Sequence, residues 1–309
     1  MNPEVGLLLP SREVLLWRDG DLRFLVEAGR LAEQAGYDSV WVGDSLLARP
    51  RGEPLLLLAA IAAATTRVRL GTAVLLPLLR HPIYLAHMLS TLDRISGGRL
   101  IVGVGPGAEL PGTHAELAAL GVASHRRVSA LIDAVERCRR LWRDEEADIH
   151  LLPAPLTPGG PPFWLGAQGP RMLRAAGTRF DGWLPFSPTA EDYATGLSAV
   201  RDAARKAGRD PDAITPAVYL TLAISTSAEE SARDFDSYIR AYYGVPGEVM
   251  ARQQASHHGT IDSAIEWIEG FIKAGARHVI LRLARPSLDG YADLAASLLS
   301  ALKGAAARS

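Results

Sequence analysis

The chain has 309 residues, is 48% hydrophobic and 22% charged, and carries a formal net charge of -1, which is an ordinary globular composition with ample core. Near-neutral charge removes any electrostatic basis for binding nucleic acid or an anionic membrane, so neither is expected as a partner. Cys138, the only cysteine, excludes an intramolecular disulfide and a thiolate metal cage, and MNPEVGLLLP lacks the basic-then-apolar order of a secretory signal.

VGLLLP (5–10) is a continuous apolar run, the mark of a strand covered on both faces. DLRFLVEAGRLAEQAGY reads as a helix with Leu22, Leu25, Gly29 and Ala32 on one face and Gly36 just past its end. DSVWVG (38–43) is a second strand, EPLLLLAAIAAATT a helix with proline in its first turn, too short to span a bilayer, and VRLGTAVLL a third strand. YLAHMLSTLDRIS is helical, RLIVGVG is a fourth strand, and one long helical pattern covers 113–143. Next come PFWLGA (162–167), GPRMLRAAGT, DGWLPF (181–186), AEDYATGLSAVRDAARKAG, AVYLTLAIS (217–225), a helical region, HVILRL (278–283) and YADLAASLLSALKG.

Eight strand candidates, nearly all followed by helical pattern, require parallel strands joined by crossover helices. On this scale the reading is an α/β chain folded as one domain, residues 1–309, a (β/α)₈ TIM barrel. Surplus residues fall in insertions after strand four (around 144–161) and strand seven (around 240–259). A doubly wound open sheet competes, because GVGPGA (103–108) matches G-x-G-x-x-A after a strand. Against it, the region about 20 residues on is helical where a second strand with an acidic end is needed, and Pro106 removes an amide donor.

In a barrel, function sits at the carboxyl ends of the strands. Those ends read GDSLL, TAVLLPLLRHP, GVGPGAE, GAQGPRM and FSP: rich in glycine and proline, poor in charge, and without lysine. No metal-ligand spacing and no G-x-S-x-G occurs, so no metal is expected and the chemistry points to a cofactor. Glycine at several rims suits a flat ring approached by backbone, and GPRM at a helix start suits a phosphate.

The stretch 68–107, VRLGTAVLLPLLRHPIYLAHMLSTLDRISGGRLIVGVGPG, resembles the central signature of the luciferase-like monooxygenase superfamily, and supporting pieces extend the resemblance over about residues 4–283. The resemblance implies a TIM barrel that binds coenzyme F420 or reduced FMN. It further implies an oxidoreductase or monooxygenase acting on a small molecule, a non-prolyl cis peptide at Ala73-Val74 against the ring, and a helix beginning at Arg80-His81-Pro82. The matching cofactor-binding positions are Thr72, Ala73, Val74, Gly105, Gly107, Gln168, Gly169, Pro170, Arg171 and Met172. The turn after strand five has no hydroxyl residue and Pro106 stands where luciferase has an arginine, which favours F420 over FMN.

Catalytic candidates are Asp44, Ser45 and Glu109, each with a plainer alternative: a turn cap, a lining hydroxyl and a solvated loop carboxylate. Ser45 replaces a histidine found in deazaflavin sugar-phosphate dehydrogenases and luciferase, and Ala108 stands where those dehydrogenases have glutamate, so neither sugar-phosphate oxidation nor light emission carries over. Arg282 is read as meeting an anionic cofactor tail or pairing with a carboxylate; Tyr242, Tyr243, His257 and His258 lie in the second insertion, either over the pocket or on a surface loop. A reductase supplying reduced cofactor, a homodimeric state and a cytoplasmic location complete the expectations, with a non-catalytic flavin-binding barrel as the alternative function.

Overall fold

Short apolar runs bounded by glycine and proline close into a ring of parallel strands in the computed structural model, which describes residues 3–18, 20–166 and 168–306. In chain order the elements are β1 (Glu4–Leu8), α1 (Glu13–Trp17), α2 (Arg23–Ala35), β2 (Ser39–Val42), α3 (Pro54–Ala64), β3 (Arg69–Leu75), α4 (Pro82–Ser96) and β4 (Leu100–Val104). Then follow α5 (Pro111–Ala119), α6 (Arg127–Trp142), β5 (Phe163–Leu165), α7 (Pro170–Arg179), β6 (Gly182–Trp183), α8 (Ala190–Lys206) and β7 (Thr215–Ile224). The chain ends with α9 (Ala228–Tyr243), α10 (Gly247–Ala251), β8 (Ser256–Gly259), α11 (Ile261–Lys273), β9 (His278–Leu283) and α12 (Tyr291–Ala306).

The ring runs β1-β2-β3-β4-β5-β6-β7-β9 and returns to β1, closed by Gly182↔Thr215 and Glu4↔His278. This is the TIM barrel, and closure rules out the open sheet. β8 is an extra strand: it pairs only with the upper half of β7, Thr221↔Ser256 to Ile224↔Gly259. His257 and His258 therefore sit on a strand, with His257 hydrogen-bonded to Ser263 at 3.0 Å and stacked on Trp267, and neither lines the cavity described below. Ala167, at the end of the fifth strand expectation, lies outside the described residues.

The single helix expected over 113–143 is two. Gly121 takes a left-handed conformation (φ 71°) and, with Val122, bonds back to Ala118 and Leu117, which ends α5 before α6 starts. The helix-period signal carries across such a break because apolar residues recur on both sides of it, Leu117 buried in α5 and Leu131, Val135 and Cys138 buried in α6.

The ring interior is filled by Leu8, Trp41, Ile101, Trp164, Leu184, Ala217 and Ile280. Trp41 and Trp164 pack with centroids 5.4 Å apart, and a Cβ at Gly71 would sit 2.1 Å from Trp41. That glycine of LGTAV is a requirement of the indole packing. Below this layer the first residues of four strands form a closed polar line: Trp41 Nε1 donates to Ser39 Oγ (2.7 Å), Ser39 meets His278 Nε2 (2.7 Å), and His278 Nδ1 meets Glu4 (2.9 Å), which also pairs with Arg69.

The signature LDRISGGR lies at this same end. Asp93 accepts from the amide and hydroxyl of Thr157 (2.7 and 3.0 Å), tying down the first insertion. Arg99 donates to the carbonyls of Ala62, Thr65, Val68 and Ser96. Among the described residues no helix is long and apolar enough to cross a membrane.

Candidate functional site

Above the tryptophan layer, at the carboxyl ends of the strands, a cavity of about 570 Å³ opens. Its floor and walls come from Ala73 and Val74 near the end of β3 and Leu76 just past it, Gly105 to Ala108 after β4, Gly166, Leu184 and Phe186 after β5 and β6, and Tyr219 and Arg282 on β7 and β9. The second insertion supplies Tyr242, Tyr243, Val249 and Gln254.

The Ala73–Val74 peptide is cis, at the point where the β3–β4 register shifts between Thr72 and Leu75. Thr72 is fully buried and outside the cavity; its hydroxyl donates to the Gly103 carbonyl at 2.8 Å and so pins β3 to β4. The Val74 side chain fits between two glycines: a Cβ at Gly105 or Gly166 would approach its methyls to 2.7 or 2.8 Å. Glycine at these rims therefore serves Val74 and leaves the floor as nearly bare main chain. Gly107 also lines the cavity, but with φ 81° and a Cβ that would meet Thr113 at 2.7 Å, a substitution there strains the turn itself.

Asp44 lines the cavity with its side chain only 2% exposed. Oδ2 accepts from the Leu76 amide (2.9 Å) and from Arg80 Nη1 (2.6 Å), and Oδ1 from Arg80 Nη2, which also reaches Glu53 at 2.6 Å. Burial works against the Arg80 charge, but the bonds to Asp44 and Glu53 outweigh it and raise its pKa. RHP thus begins α4 and locks the end of β2 to the end of β3.

Ser45 and Glu109, two of the catalytic candidates, have different surroundings. Ser45 is buried; its hydroxyl donates to Glu116 (3.0 Å) and accepts from the Arg49 amide (2.9 Å). Glu116 on α5 is buried and also accepts from the amides of Leu46, Leu47 and Ala48, at 3.2, 3.1 and 2.6 Å. Burial opposes its ionisation, yet these donors hold its pKa below the usual carboxylate value. The loop 45–49 is in effect clamped around one carboxylate. Glu109 is an exposed rim residue paired with His114 and Arg127.

At the start of α7, Gln168 lines the cavity and donates to the Phe186 carbonyl at 3.0 Å, and buried Met172 lines it from the first turn. Gly169, Pro170 and Arg171 are exposed and outside the cavity lining. The cavity thus gathers Ala73, Val74, Gly105, Gly107, Gln168 and Met172 with Asp44, Ser45 and Glu109.

Residues with no sequence signal join them. Glu116, inside an unremarked helical pattern, is one. Tyr219 is another; burial pushes its phenol pKa well up, so the hydroxyl keeps its proton. Arg51 lines the cavity and donates to Ser11 (2.8 Å) and to Tyr242. Among the described residues no group of three His, Cys, Asp or Glu could hold a metal.

Four similarities to known proteins bear on this site. A family model described as luciferase-like monooxygenase matches residues 4–277. The chain is 30% identical over 256 residues to 5,10-methylenetetrahydromethanopterin reductase of Methanolobus tindarius, covering 80% of this chain and 74% of that protein. It superposes on monooxygenase RslO1 from Streptomyces bottropensis with TM-score 0.78 at 25% identity, covering 96% of both chains. The coenzyme F420 dependent tetrahydromethanopterin reductase from Methanopyrus kandleri shares the fold, with TM-score 0.72 at 20% identity and 97% of both chains covered.

Proposed function

The chain belongs to the luciferase-like monooxygenase family, and from that premise we infer a flavin-type oxidoreductase that holds coenzyme F420 or reduced FMN above Ala73–Val74 and acts on a small organic substrate. The observation that carries this reading is the cavity floor, main chain at Ala73–Val74 flanked by Gly105 and Gly166, on which a planar tricycle can lie without meeting bulk. The cavity volume of about 570 Å³ falls within the range of roughly 300–1,000 Å³ usual for small-molecule sites.

Ala73, Val74, Gly105 and Gly107 would support the ring, and the first turn of α7, with Gln168, Gly169, Pro170, Arg171 and Met172, would face the phosphate with its positive helix end. F420 is the favoured cofactor because that turn carries no hydroxyl side chain. When bound, F420 supplies hydride transfer and reduced FMN supplies oxygen activation.

The chain's own part is positioning, exclusion of water and proton placement. The Asp44–Arg80 pair holds the β2 and β3 ends at fixed separation, and with both oxygens engaged Asp44 acts as a positioning residue. Ser45 and Glu116 keep the loop 45–49 over the cavity, and Glu109 orders the rim. The protonated Tyr219 hydroxyl is the group placed to donate to a substrate oxygen in this chamber. A reductase that supplies reduced cofactor and a homodimer belong to the same proposal, the latter checked by light scattering.

The test is fluorescence titration with F420 and with FMN, followed by turnover with alcohols, ketones and aldehydes. Micromolar or tighter binding of F420, weaker binding of FMN, and turnover with one substrate class are expected. Binding of neither cofactor would refute the reading, and tight binding without turnover would favour a flavin-binding barrel.

A further inference from the structure

The wall built by β7, β9 and α9 holds a buried cation whose donors are unmatched. Arg282 on β9 lines the cavity and is 2% exposed. Its guanidinium lies 5.4, 5.4, 5.0 and 5.3 Å from the ring centroids of Tyr219, Tyr238, Tyr242 and Tyr243. Nη1 donates to the Tyr243 hydroxyl at 2.8 Å, whereas Nε and Nη2 are buried without a hydrogen-bond partner. The Tyr243 hydroxyl donates in turn to Gln254 Oε1 at 3.4 Å, and Gln254 Nε2, also buried, has no acceptor. Gln254 lines the same cavity.

The unmatched atoms of Arg282 and Gln254 are all donors; the Thr221 hydroxyl, opposite Arg282 in the β7–β9 register, is buried without a partner as well. Nε–H and the neighbouring Nη2–H project in parallel from one edge of a guanidinium, the fork that a carboxylate accepts with both oxygens. The tyrosine rings favour the positive charge through their faces, and the Tyr243 hydroxyl takes Nη1 alone, leaving Nε and Nη2 without an acceptor. The protein supplies no carboxylate either: among the described residues Arg49, Arg51 and Arg282 have no ion pair. The nearby Glu13 accepts from Tyr238 and from the Arg12 amide. Arg12 and Arg49 add positive charge on the faces of Tyr242 and Tyr243, at 4.5 and 4.8 Å. Burial lowers the Arg12 pKa, with Tyr242 opposing and the charges of Arg49 and Arg51 adding to the fall.

We propose that Arg282 and Gln254 form a subsite for a carboxylate of the substrate, so that the substrate is an organic anion whose apolar body runs towards Leu110, Phe186 and Val249 at the cavity lining. A planar, singly charged group matches one fork plus one amide donor. Leu110, Phe186 and Val249 are exposed apolar side chains at the cavity lining, which gives the body a hydrophobic path. The inference rests on reading the cavity as the substrate and cofactor chamber.

The test uses the cofactor-free 309-residue chain and three probes of matched shape, octanoate, octanamide and octan-1-ol, measured by calorimetry. Octanoate is expected to bind at least about tenfold more tightly than either neutral probe. Arg282→Met should abolish that preference, and Gln254→Leu, which keeps the guanidinium, should reduce it by about threefold. Equal binding of the three probes, no octanoate binding up to about 1 mM, or an unchanged preference in Arg282→Met overturns the proposal. Should Arg282→Met fail to fold, the wild-type preference and Gln254→Leu still decide. Displacement of octanoate by equimolar inorganic phosphate overturns the choice of a carboxylate, and displacement by saturating F420 assigns the fork to the cofactor and overturns the proposal. Cofactor affinity is read separately: F420 or FMN binding without octanoate preference defeats only this inference, and octanoate preference without cofactor binding defeats only the cofactor reading.

Discussion

At the N-terminal end of the barrel, Glu4, Ser39, Arg69 and His278 come from the first residues of four strands and satisfy one another, while at the C-terminal end Arg282 and Gln254 leave three donors bare. The first cluster has the outline of a nucleophile triad: Ser39 to His278 at 2.7 Å and His278 to Glu4 at 2.9 Å. Ser39 and His278 are fully buried, the Ser39 oxygen already accepts from Trp41, and none of these residues lines the cavity. Geometry alone would suggest chemistry; accessibility and complete pairing make it structure. The other end is short of acceptors, and a buried cation with bare donors is a binding surface waiting for an anion. Polar residues at the bottom of a barrel serve stability, and those at the top serve recognition.

The sharpest break in this contrast lies within the upper end, where Asp44 is closed like the bottom cluster. Asp44→Ala leaves Arg80 buried with one partner fewer and should cost about 3–5 kcal/mol in urea denaturation; a loss under about 1 kcal/mol would show that the pair does not brace the wall.

The bottom cluster itself is testable by pH. The Glu4 pKa is lowered to about 2, chiefly by its hydrogen bond to His278. Its contribution is therefore present above the unfolded value near 4.5 and is lost as pH falls towards 2. Burial keeps the His278 pKa below 6.5, so protons taken up by the unfolded chain below that pH also favour unfolding. Both signs agree. Stability should fall as pH drops below 6.5, through His278, and again between 4.5 and 2, through Glu4, by about 1–2 kcal/mol in all, the half-exposed Glu4 being discounted for screening, and Glu4→Gln should flatten the part of the profile below pH 4.5.

Arg282→Met is the counterpart. Removing a buried cation that lacks an anion should change folding stability by less than about 1 kcal/mol while abolishing carboxylate preference. A loss of several kcal/mol without effect on binding would place Arg282 with the structural residues. The smallest effect is expected for Arg171→Ala: an exposed charge contributes about 0–1 kcal/mol to binding. Comparing FMN with riboflavin, or F420 with its phosphate-free form, isolates that share, and equal losses for both members of a pair would remove the phosphate contact.

The barrel was legible because strand period, helix period and turn residues are local signals. Among the described residues, eight of the nine strands follow from apolar runs; β8, with the polar sequence SHHG, does not, since its pairing depends on β7 being free above the two-residue β6. The Ala73–Val74 step was legible through the resemblance around 68–107, and it is cis. The clamp at Glu116 and the Asp44–Arg80 pair were not legible. They join residues 71 and 36 positions apart, and no periodicity connects such partners. Arg282 illustrates the same limit: its position at a strand end was readable, but its bare donors depend on what four tyrosines from β7 and α9 fail to provide.

A crystal structure of the protein with F420 or FMN tests the central claim most directly. The account predicts the tricyclic ring in van der Waals contact with the Ala73–Val74 main chain, between Gly105 and the Arg282 wall. A ring bound elsewhere, or a cavity that stays empty at saturating cofactor, would contradict it.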